Sequence, residues 1–134
     1  MKGVYVLLIE LKTDKQIQIG KLGNIFFKKG FYAYVGSALN NLEKRIQRHL
    51  SLEKKMHWHV DYLLNHADIT NVFYKETNEK VECNIARELA KGLKCINGFG
   101  CSDCGCQSHL HYGKKNKIFK EILKLKMEQF NFFI

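Results

Sequence analysis

At 134 residues the chain is one domain by length and long enough to bury a single ordinary core. Apolar residues at 46% and aromatics at 12% exclude a disordered tail, and the absence of an 18-residue apolar run excludes a helical membrane span. The formal net charge of +9 points to a polyanionic partner, because each neutralised phosphate releases condensed counterions; a basic surface serving solubility alone is the alternative on charge.

Residues 2–10 are β-branched and aliphatic with little alternation, as expected of a buried central strand. The same run lightly mimics a signal peptide. Glu10 and Lys12 interrupt it and no small-residue cleavage site follows, so it reads as a strand of a cytoplasmic protein. A turn at 13–15 leads to an alternating strand at 16–19, then a turn at 20–24, a short strand at 25–27 and an aromatic-rich strand at 31–35. The period then becomes helical. Asn40 or Asn41 is a plausible N-cap, and Leu42, Ile46 and Leu50 recur on one face. A second helix is expected over 57–65, a strand over 69–75 and a third helix over 82–94, with Ile85, Ala86, Leu89, Ala90 and Leu93 inward. The Gly- and Cys-rich stretch 98–113 reads as a loop. A last amphipathic helix over 114–127 turns Ile118, Phe119, Ile122, Leu123 and Leu125 inward. The expectation is an α/β domain spanning 1–134, with one small mixed or antiparallel sheet flanked by about four helices.

Two short signatures stand out: Gly3-Val4-Tyr5, and Tyr34-Val35-Gly36-Ser37 followed by a basic helix carrying Arg45 and His49. With 100° per residue, Arg45 lies about 60° from Leu42 at the border of the apolar stripe, whereas Lys44 and Arg48 point away. His49, four residues on, shares the Arg45 ridge. On spacing alone the tyrosines are core or sheet-edge filling and the Arg/His pair a solvated face. Glu82 opens the third helix on its inward face, where a first-turn carboxylate complements the helix dipole; Glu88 falls toward solvent. His57 and Asp61, four apart, can pair on one helical ridge, with His59 pointing elsewhere, or the three form a capping and surface-polar cluster. Cys101, Cys104, Cys106 and His109 are four soft donors in nine residues, able to hold a structural Zn²⁺ or to form a reduced loop that binds none.

Taken together, these segments, with 57–64 and 98–110, resemble the GIY-YIG nuclease superfamily and its stand-alone Uri-type branch. The resemblance implies metal-dependent hydrolysis of a phosphodiester by in-line attack of water, on DNA in preference to RNA. It implies that Tyr5 and Tyr34 share one site, one taking the water's proton and the other holding phosphate or a metal-bound water. Arg45 and His49 would complete the catalytic set, and Glu82 would be the single protein ligand of Mg²⁺ or Mn²⁺. Gly36, Ser37, Arg48, His57, Ser108 and His109 would contact substrate. The 29 residues from Tyr5 to Tyr34 call for an inserted hairpin near 16–29. With no appended DNA-binding domain, specificity would be low or supplied by a protein partner. A non-catalytic nucleic-acid-binding module, zinc-stabilised or not, is the competing expectation.

Overall fold

The computed structural model describes residues 2–101 and 105–131. Its centre is β1 (Gly3–Leu11), whose near-continuous apolar run is explained by burial on both faces. β4 (Gly30–Ala38) and β5 (Asp68–Glu76) flank it, both antiparallel. β7 (Leu110–Gly113) and β6 (Lys94–Cys95) extend the sheet beyond β4, and β8 (Glu128–Phe130) beyond β5. The six-stranded order is β6-β7-β4-β1-β5-β8, and every pairing is antiparallel. Between β1 and β4 the chain makes a separate two-stranded hairpin, β2 (Lys15–Ile19) and β3 (Gly23–Phe27), closed by a short 3₁₀ turn. This is the inserted hairpin that the long gap demanded. It leaves β1 and β4 in unbroken register from Gly3↔Ala38 to Leu11↔Gly30.

Strand alternation divides the core in two. Tyr5, Leu7, Ile9, Tyr32 and Tyr34 face α1 (Leu42–Leu50), α2 (His59–Leu64) and the hairpin. Val4, Val6, Leu8, Ala33 and Val35 face α3 (Glu82–Gly92) and α4 (Lys115–Lys124). Each fully buried aliphatic side chain contributes about 1.5–3 kcal/mol. Burial on both sides of a central strand therefore anchors the position of its ends.

The 98–113 stretch is not all loop: β7 occupies its end, because Leu110 and His111 are buried against β4. β6 and β8 are two and three residues long, too short for a periodic signal. In α4, Leu123 is 75% exposed rather than inward, and Ile118 and Ile122 carry the packing. Among the described residues, no helix is long and apolar enough to cross a membrane.

Candidate functional site

The carboxyl end of β4 meets the amino ends of β1, α1 and α3, and a cavity of about 330 Å³ opens there. Tyr5, Tyr34, Gly36, Ser37, Arg45, His57, Trp58, His59, Glu82 and Gly100 line it. Register brings the phenols together: Tyr5 lies opposite Gly36, and Leu7 opposite Tyr34, so both rings occupy the same face one step apart. A Cβ on Gly36 would fall 2.4 Å from the Tyr5 hydroxyl and ring, so only glycine leaves room for that side chain. Gly3 serves packing instead, since a Cβ there would strike the Lys75 carbonyl at 2.4 Å.

Asn41 caps α1 by accepting the Lys44 N–H at 3.0 Å. That start places Leu42, Ile46 and His49 on the buried stripe and Arg45 at its edge. The Tyr5 hydroxyl and His49 Nε2 are 2.6 Å apart, and the Tyr34 ring stacks edge-on against the same imidazole. Burial drives the His49 pKa down to about 3, so the ring is neutral near pH 7. Burial also pushes the Tyr5 phenol well above its ordinary value of 10, with Arg45 opposing; burial does the same to Tyr34, reinforced by Tyr5. Both phenols are therefore held as O–H groups, which donate hydrogen bonds far better than they accept protons.

Arg45 donates to the Ser37 carbonyl at 3.0 Å, and its guanidinium lies over the Trp58 ring at 4.4 Å. The Ser37 hydroxyl donates to Glu82 Oε2 at 3.2 Å, and His109 Nδ1 is 3.4 Å from Glu82 Oε1. These contacts hold the carboxylate at the cavity wall while leaving 29% of its side chain exposed. The cavity wall thus presents one guanidinium, one carboxylate, two phenols held as O–H and the imidazoles of His57 and His59.

The other expected residues are distributed differently. Arg48 does not line the cavity. It makes two hydrogen bonds at 3.1 Å to Asp61 and a third to the Lys55 carbonyl, and its guanidinium lies over the Trp58 ring at 4.3 Å. Burial alone would raise the Asp61 pKa, but Arg48 and the N–H groups of Trp58 and His57 hold it below the usual carboxylate range. Asp61 therefore binds the His57 main chain, not its ring. Ser108 is buried and closes a turn with both polar groups of Leu110. His109 is buried behind Glu82 rather than presented to the cavity. Of the anticipated zinc set, Cys104 lies outside the described residues, and the Cys101 thiol is directed at the Phe99 carbonyl. A group able to hold a metal ion exists nonetheless, in Cys83, Cys106 and His109.

Sequence reasoning passed over four contributors. His59, read as pointing elsewhere, lines the cavity; its Nδ1 accepts the Gly100 N–H at 2.8 Å, which puts its ring proton on Nε2. Gly100 has φ +75°, and a Cβ there would crowd His109 and Tyr34, so a glycine was required. Trp58 is the chain's one tryptophan, a signal visible between two histidines. Cys83 adjoins Glu82 in the first turn of α3.

No curated protein and no solved structure matches the chain. A family model does match, over residues 4–132, and its description is Domain of unknown function DUF123. This overturns the resemblance to the GIY-YIG superfamily and its Uri-type branch: two three-residue signatures and an Arg/His spacing are too short to assign a family, whereas the match covers nearly the whole chain. The chain belongs to the family described as Domain of unknown function DUF123.

Proposed function

We propose that the cavity binds a phosphodiester of a nucleic acid and hydrolyses it with a divalent cation. The observation that carries this reading is the convergence of Tyr5, Tyr34, Arg45 and Glu82, from four separate elements, on one polar cavity. The chain's charge of +9 supports a polyanionic substrate. Arg45 offers paired N–H donors to the phosphate oxygens and stabilises the charge that builds on them. The Tyr5 hydroxyl, held 2.6 Å from His49 Nε2, aligns the attacking water. Tyr34 and the Nε2–H of His59 are the remaining neutral donors for non-bridging oxygens.

Glu82 fits a metal-carrying role. Its carboxylate keeps exposed surface, and among the described residues no lysine or arginine forms an ion pair with it. Glu82 would hold Mg²⁺ or Mn²⁺, ions that need few protein carboxylates, and the bound ion would supply Lewis acidity.

The test is incubation with single-stranded, duplex and branched DNA and RNA, with Mg²⁺ or Mn²⁺ or with chelator. Metal-dependent cleavage is expected, and Glu82→Ala should abolish it. Cleavage by Glu82→Ala at the wild-type rate overturns the reading. A second reading, binding without cleavage, is favoured by a groove of about 730 Å³ where Lys29, Lys94, Lys114, Lys115 and Lys117 surround Phe31 and Tyr112. Salt-sensitive binding with no cleavage in any metal selects it.

A further inference from the structure

We propose that Cys83, Cys106 and His109 bind a zinc ion directly behind Glu82. Their three donor atoms lie within 4.8 Å of one another, and Cys83 Sγ is 3.8 Å from His109 Nε2. Tetrahedral zinc with bonds of 2.0–2.3 Å sets its ligand atoms about 3.5–3.8 Å apart, so only small side-chain adjustments are needed. Two thiolates and an imidazole select zinc over the hard cations that prefer oxygen. The donors come from separate elements, the first turn of α3 and the segment before β7. The helix amino terminus favours the Cys83 thiolate. A site confined to the 101–109 loop would lack that cross-link.

The second shell carries the same signature. A metal-ligating histidine commonly donates its other ring N–H to a carboxylate, which sets the tautomer and raises ligand basicity. His109 is 2% exposed, with Nδ1 3.4 Å from Glu82 Oε1 and Nε2 directed at the Cys83 sulfur. The imidazole thus joins the sulfur cluster on one side to the cavity carboxylate on the other. Three protein donors leave a fourth tetrahedral position for a further ligand. The zinc count is independent of the proposed hydrolysis; only the consequence for Glu82, held by a fixed His109, rests on that reading.

Elemental analysis of protein purified under reducing conditions should give one zinc per chain. Replacement by Co²⁺ should give tetrahedral visible bands and charge-transfer absorption from two thiolates, read on wild-type protein. Cys83→Ser and Cys106→Ser should each lose the equivalent, while Cys95→Ser, whose sulfur contacts Asn97, should keep it. Glu82→Gln should weaken zinc binding about 10–100-fold, the effect of removing a second-shell partner. Zinc absent from wild type, a cobalt spectrum without thiolate charge transfer, or full retention in both serine variants overturns the proposal. The cobalt spectrum decides the matter even if the serine variants fail to fold.

Discussion

Two guanidiniums of the same helix lie over Trp58 and have opposite fates. Arg48 is bound to Asp61, whose side chain is fully buried and which also takes the N–H groups of His57 and Trp58. Arg45 rests on the same indole at nearly the same distance, yet faces a cavity, donating to the Ser37 carbonyl and hydrogen-bonding the Tyr5 hydroxyl. The first region is closed and electrically satisfied, and builds structure. The second leaves a positive charge presented to the cavity. Residue type, helix and ring neighbour are shared, so the Asp61 carboxylate is what sets the closed guanidinium apart from the one that faces the cavity.

The contrast is most severely tested at Arg48. Arg48→Ala leaves a buried carboxylate without its cation and should cost about 3–5 kcal/mol in denaturant unfolding. Wild-type stability in that variant would erase the difference between the two sides. Arg45→Ala should do the reverse. Its melting temperature should stay close to wild type, while metal-dependent cleavage falls about 10²–10³-fold, the usual effect of deleting one preorganised donor to developing charge. Unfolding comparable to Arg48→Ala would make Arg45 a structural residue too.

The two sides should also respond to acid in different windows. His49, beside Arg45, and His111 are neutral in the folded state, with pKa values down to about 3 and about 4, mainly from burial. Unfolding restores both to about 6.5, so the unfolded chain binds more protons below that pH. Stability should be full above about pH 6.5 and decline toward pH 3, and His49→Gln should flatten the slope. Asp61 has a depressed carboxyl pKa, so its contribution persists above the ordinary carboxylate range and is lost as pH falls through the folded value. Unfolding midpoints measured from pH 8 to pH 3 resolve the two windows; no slope above pH 5 would contradict the histidine assignment.

Two smaller effects sharpen the picture. Gly36→Ala should displace the Tyr5 ring, break its bond to His49 and cost about 1–3 kcal/mol by overpacking; unchanged stability and activity would remove Gly36 from the site. His111 has both ring nitrogens buried without hydrogen-bond partners among the described residues. His111→Leu should therefore stabilise the protein by about 1 kcal/mol at pH 8, and more at pH 5, as measured by urea unfolding.

Much of this arrangement was legible beforehand. β1 and β4 announced themselves as aliphatic and aromatic runs, and Leu42, Ile46 and Asn41 defined α1, because burial and capping act locally. Tyr5, Tyr34, Gly36, Arg45 and Glu82 were picked out and do line one cavity. What escaped depends on tertiary partners that periodicity does not carry. Arg48 was expected at substrate because nothing in its spacing reveals Asp61 thirteen residues away. His59 was dismissed by helical angle, yet it is the first residue of α2 and reaches Gly100 across 41 residues. Cys83 was invisible as a ligand until the 105–109 segment folded back onto α3.

The indole under both guanidiniums has a practical consequence. As the chain's one tryptophan, it supplies essentially all long-wavelength ultraviolet emission, and it touches both the guanidinium that faces the cavity and the one that is locked away. Any anion that draws Arg45 off the ring changes the light the protein gives out, so the molecule carries its own built-in dye at the place where occupancy matters.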